Sequence, residues 1–149
     1  MNATFSRDFH VDGRYRHPHM ALLCLRLMNA KLHYNICEFS DPFTLYEEMQ
    51  LEHPNDRSRG YISEALRYAC THWLMHLAQT NPSDEGYEAI MEAFKEFLFT
   101  AETDRDGRPS RGNHLIHWIE ALSILGEVHR AKTSMRALLE WSKVWNANH

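Results

Sequence analysis

The sequence lacks paired cysteines, clustered glycines, a long apolar run and an excess of basic charge, and each lack removes a class of protein. Three cysteines, Cys24, Cys37 and Cys70, are an odd number at wide spacing. They are a poor basis for a disulfide framework and read as buried free thiols in a reducing compartment. The six glycines are isolated from one another, and none opens the strand-to-helix turn, followed by lysine and a hydroxyl, that cradles a phosphate. The chain alone is therefore expected not to hydrolyse nucleotides. Apolar stretches such as Leu115 to Leu125 are interrupted by His117 and Glu120 and fall short of the roughly 18 to 20 residues of a membrane span. Met1 to His10 carry Arg7 and Asp8 without a continuous apolar run, unlike a secretory signal, so a cytoplasmic protein is expected. A formal net charge of -4 argues against nucleic acid held by clustered Lys and Arg. Strand alternation is missing too: Val11 and Tyr15 stand among charged residues, and Phe43 to Tyr46 is too short to decide.

What is present is helical periodicity. With 149 residues, 44 % of them hydrophobic, the chain has the length and composition of one globular domain spanning 1–149. Ile62, Leu66, Ala69, Cys70, Trp73 and Leu77 recur at spacings of three and four, which predicts a helix from about 62 to 79 with Ser63 as its N-cap. Tyr87, Ile90, Met91, Phe94, Phe97 and Leu98 make a second stripe, introduced by the run Asn81 to Glu85, which combines a helix stop with a start signal and, in Asp84 and Glu85, first-turn acids. The two read as a helical hairpin. A third stripe, Leu115, Trp118, Ile119, Leu122 and Leu125, is entered through Asn113 as a cap. Ala131, Met135, Leu138, Leu139 and Trp145 form a fourth after a tight turn near Gly126. Upstream, Pro18 fits the first turn of a helix to about Ala30, with Met20, Leu23, Cys24, Leu27 and Met28 inward and Leu22 and Leu25 widening the apolar surface. Segments 39–60 and 100–112 lack a period and read as loops. The expected fold is all-α, about five helices packed as antiparallel hairpins in a bundle or short solenoid.

Eleven histidines raise the question of a metal. His72 and His76 are four apart on one predicted helix, a spacing at which two imidazoles can share a cation, yet Trp73, Leu74 and Met75 between them supply no carboxylate. His114 and His117 are three apart on another helix, and His17 and His19 flank Pro18. Any two pairs meeting in space would complete a four-ligand site, with His72, His76, His114 and His117 the leading combination. Against it, structural zinc sites usually recruit cysteine pairs, and none is present. Polar half-buried or surface histidines are the plainer reading. Cys70 and His72, two apart on a helix, point in different directions and make no nucleophile pair. Glu120 has no second acid at helical spacing for acid-base work and is free to pair with a base or cap a neighbour. Trp73, Phe94 and Trp118 read as core.

Three blocks together resemble a known family. Phe9-His10-Val11-Asp12, His17, Cys24-Leu25-Arg26-Leu27-Met28-Asn29 and Leu32-His33-Tyr34-Asn35-Ile36-Cys37 form the first. Leu66 to Leu77, with Tyr68, Cys70, Trp73 and His76, form the second. Phe97-Leu98-Phe99-Thr100, continuing at His114 to Ser123 with Trp118, Glu120, Leu122 and Ser123, form the third. In order and spacing they are similar to the stretch just after the NACHT and winged-helix region of fungal NACHT-WD-repeat proteins, NLR-like signalling NTPases that include heterokaryon-incompatibility factors. Met75 stands where that family commonly has an acid, and Ala101 to Asn113 splits a region it keeps tight.

The resemblance implies a helical segment linking a nucleotide switch to sensor repeats, with protein partners, no nucleic acid, no membrane and no cofactor of its own. It implies no catalytic residue, because the family's phosphate contacts lie upstream, and it makes residues 1–16 an irregular remnant of the preceding region. The chain, ending at His149 without sensor repeats, is then expected to be a fragment or truncated paralogue. Two rival readings come from other classes: a small His-rich metal-binding protein and a free-standing helical-repeat adaptor.

Overall fold

The structure is a computed structural model and describes residues 13–38, 60–99 and 113–147. Five helices pack together among them, with no strand: α1 Gly13–Lys31, α2 Glu64–Leu77, α3 Tyr87–Phe99, α4 His114–Ile124 and α5 Val128–Ala147. Of the segments 39–60 and 100–112 assigned to loops, Gly60 is helical and the rest lies outside the described residues, as do the Trp145 side chain and the first twelve residues.

Two predicted caps start their helices. Ser63, in extended backbone, accepts from the Leu66 N–H at 3.2 Å, and Asn113 accepts from the Ile116 N–H at 3.2 Å. Each oxygen satisfies one of the donors that a helix start leaves without an intrahelical partner. Asn113 also donates from Nδ2 to the Leu98 carbonyl at 2.7 Å, tying the end of α3 to the start of α4. The predicted turn at Gly126 is present: Glu127 N–H bonds to Leu122 O at 2.8 Å and Gly126 N–H to Ser123 O at 3.1 Å. This pairing places Gly126 at φ +70, a conformation that glycine adopts without steric penalty.

The helix boundaries differ from expectation in two places. α1 begins at Gly13, so residues 13–16 are helical and Pro18 sits in the second turn rather than the first. Pro18 deprives the helix of one internal hydrogen bond, yet it is buried, and tertiary packing of the turn outweighs the local penalty. α3 begins at Tyr87, leaving Asp84 and Glu85 in the preceding turn. There Asp84 accepts the Asn81 N–H at 2.7 Å, so its carboxylate closes the turn instead of facing the helix end.

Helix α1 is the hub. It packs most extensively on α2 and next on α3, so the two helices expected to form a hairpin both lean on α1. Its inward residues are Ala21, Cys24, Leu25, Met28 and then Leu32, while Leu23 is 46 % exposed and Met20, Leu22 and Leu27 are half-buried. The inward stripe is thus rotated about one residue from the predicted one, because a helix covered on two sides buries a wider face than one stripe describes. Every residue of the predicted stripe is buried, although Ile62 lies just before α2 rather than in it, and α2 buries Leu74 and His76 besides. On α4 the buried face is His114, His117, Trp118, Ala121, Leu122 and Ile124, leaving Ile119 39 % exposed. α5 covers the core with half-buried Ala131, Met135, Leu138 and Trp141, and Leu139 points outward at 63 % exposure.

Candidate functional site

Residues from all three sequence blocks meet in the interior. The Trp118 indole Nε1–H of α4 donates to the Cys70 carbonyl of α2 at 2.7 Å, in a fully buried contact. Trp73, one turn further along α2, meets the Trp118 ring edge-on at 5.6 Å and the rings of Phe97 and Phe94 at 4.9 and 6.1 Å. Phe94 in turn meets Trp141 of α5 edge-on at 6.1 Å. Edge-to-face rings align the positive edge of one with the negative face of the other, which adds to the gain from burial. Four helices are joined by this aromatic row.

The Glu120 carboxylate of α4 reaches the turn after α1. Its Oε2 accepts from the Asn35 N–H at 3.3 Å, and the Ile36 N–H also hydrogen-bonds to it. Glu120 therefore caps a neighbour. Asn35 and Glu38 carry φ of 54 and 53, a left-handed backbone that non-glycine residues seldom adopt, and the carboxylate helps to hold it. Burial raises the Glu120 carboxyl above its ordinary value, and the two backbone hydrogen bonds and nearby His33 oppose that rise. Ile36 and Cys37 follow into the core, Asn29 of α1 donates to the Ala93 carbonyl of α3 at 2.9 Å, and Ser123 bonds back to Ile119 O at 3.0 Å.

The three cysteines are free and buried, as expected. Desolvation pushes the Cys70 thiol up to about 12 and Cys24 and Cys37 to about 11, so none is a thiolate nucleophile near neutral pH. Cys24, Leu25, Met28, Leu122, Trp73 and Trp118 are packing residues, with no reactive atom aimed at solvent.

The histidines sort differently from the proposed metal combination. Among the described residues no group of three or more His, Cys, Asp or Glu is placed to hold a metal ion, so His72, His76, His114 and His117 are not brought together as one site. His114 and His117 are buried in the core, at 2 % and 1 % exposure, with their rings edge-to-face at 5.8 Å. Apolar periodicity does not reveal them, because histidine counts as polar on a helix whose inward face it completes. His76, also buried, has its Nδ1 2.9 Å from Nδ1 of His17 and its Nε2 2.8 Å from the Tyr68 hydroxyl. His72 stacks on Tyr68 at 4.4 Å and turns its Nδ1 to the Thr71 hydroxyl at 2.7 Å.

An open cavity of about 740 Å³ lies between the start of α1 and the turn before α3, lined by Pro18, His19, Leu22, Asp84, Glu85 and Ile90 among others. None of the residues singled out in the sequence blocks lines it. No described helix is long and apolar enough to cross a membrane. No protein family, curated protein sequence or solved structure matches the chain.

Proposed function

We propose that the chain is a non-catalytic helical scaffold and interaction module, of the kind that follows the nucleotide-binding and winged-helix region in fungal NLR-like NTPases. The observation that carries the reading is the junction of the three resembling blocks. Cys70, Trp73, Trp118, Glu120 and Asn35, distant in sequence, touch through one aromatic row and one capping carboxylate. Such a junction transmits a displacement of one helix to the others, because close-packed interiors move as bodies rather than deform. Support also comes from the surface of α2. Ala65, Tyr68, His72 and Met75, spaced three, four and three, form a face exposed except at half-buried His72, and Met75 is 47 % exposed. That spacing suits packing by a partner helix.

The purified chain is expected to show no ATP turnover, and turnover above a mock purification would overturn the reading. It is also expected to bind a recombinant NACHT plus winged-helix module from a fungal protein of the resembled family. Met75→Lys, which keeps the fold, should weaken that binding about tenfold. A folded chain that does not bind the module sinks the proposal.

A further inference from the structure

His76 lies on the last turn of α2 at 5 % exposure, and its ring is held from both sides. On one side the Tyr68 hydroxyl is 2.8 Å from Nε2; on the other, Nδ1 faces Nδ1 of His17 on α1 at 2.9 Å. A contact between two ring nitrogens at this distance holds one proton. With both rings neutral, His76 donates to His17 and accepts from Tyr68, or accepts from His17 and donates to Tyr68. With one added proton the same contact becomes an imidazolium–imidazole hydrogen bond, which is stronger than a neutral one. A second proton sets N–H against N–H and two like charges 2.9 Å apart. The rings must then separate.

We propose that the His17–His76 contact is an acid-operated latch between α1 and α2, closed while at most one extra proton is present and opened by the second. The structure around it favours local opening. Pro18, the next residue, already removes one internal hydrogen bond from α1 at this turn. The cavity beside Pro18, His19 and Leu22 gives the turn room to move. The titratable groups that face His76 among the described residues are His17 from α1 and Tyr68 and His72 from its own helix. None is a carboxylate, and among the described residues α4 and α5, which also pack on α2, bring no charge that acts on it. Burial, then His17, then His72 lower the His76 value below its ordinary 6.5. A histidine held neutral in the folded state contributes stability above about pH 6.5 and loses it as pH falls toward the folded value. The latch stands on the proton count and does not depend on the scaffold reading.

Native-state hydrogen exchange, corrected for intrinsic rates, tests this between pH 7.5 and 5.0. The amides of residues 16–21 and 73–77 are expected to open up to about tenfold more for each pH unit between 6.5 and the folded His76 midpoint, while α3 and α4 do not. His17→Gln, whose amide can donate to or accept from Nδ1 without charging, should reduce the increase to the part that burial of His76 alone produces. Histidine NMR titration of the unmodified chain gives a second readout, with His76 titrating below 6.5. An increase spread evenly over all helices, or one unchanged in His17→Gln, would overturn the latch. So would a His76 midpoint at or above 6.5, or stoichiometric zinc at pH 7.5 lost in His17→Gln, since a shared metal would then hold the contact.

Discussion

Trp118 and Trp73 meet edge-on at 5.6 Å but differ at the indole nitrogen: Trp118 donates to the Cys70 carbonyl, whereas Trp73 Nε1, equally buried, has no hydrogen-bond acceptor among the described residues. The two rings fill the same junction with opposite polar accounts. Replacing either by Ala is expected to cost roughly 3 to 5 kcal/mol in urea unfolding. Replacement by Phe separates them. Trp118→Phe loses a hydrogen bond as well as volume, while Trp73→Phe removes an unsatisfied donor. The Trp118 variant should therefore be less stable by about 1 kcal/mol. Equal values would mean that the Trp118–Cys70 bond contributes nothing.

Two caps of the same geometry are expected to differ in strength. Ser63→Ala should cost about 1 kcal/mol, the usual effect of losing a capping oxygen. Asn113→Ala loses the cap and the bridge to Leu98, and should cost about 2 kcal/mol. Asn113→Asp keeps the acceptor and loses only the bridge, so its thermal and urea midpoints should fall between wild type and Asn113→Ala.

Glu120 sets a pH dependence of definite sign. Its carboxyl is raised in the folded chain, so the folded state holds the proton longer than the unfolded one. The associated stability is present below about pH 4.5 and is lost as pH rises through the folded value. Glu120→Gln keeps an acceptor for the Asn35 N–H but does not ionise. The stability of wild type relative to this variant should decline as pH rises from 4 to 7, and parallel curves would refute the assignment.

The thiols report opening. A value of about 11 leaves about one part in a thousand thiolate at pH 8, against about a quarter for an ordinary cysteine. Alkylation of the native chain at pH 8 should be slow at all three positions, slowest at Cys70, and rise steeply across the urea transition. Native labelling of Cys70 at the rate of a free thiol would contradict its burial.

Ser63, Asn113 and Gly126 were legible because a cap or a left-handed turn is a local demand that one residue type meets. The α2 stripe was legible because every member is apolar. The α1 and α4 faces were not: Pro18 suggested a helix start that packing overrides, and two core histidines look polar in one dimension. The Tyr68, His72 and His76 relationship follows helical spacing and could be read in part. The His17 partner, 59 residues away, could not, since nothing local fixes which of many histidines meet. Glu120 as a cap was one of two options left open, and only the path of the turn after α1 selects it.

The position of α1 between α2 and α3 has a consequence during synthesis. α1 leaves the ribosome before either of these neighbours, and the second of them is complete only at Phe99, 68 residues after Lys31 (99 − 31). At about 5 to 20 residues per second, the Leu25 and Met28 face waits roughly 3 to 14 seconds for its cover. The nascent chain thus carries a sticky, incompletely covered helix while those 68 residues are added. Substitutions on that face should alter chaperone demand and soluble yield before they alter anything measurable in the finished fold.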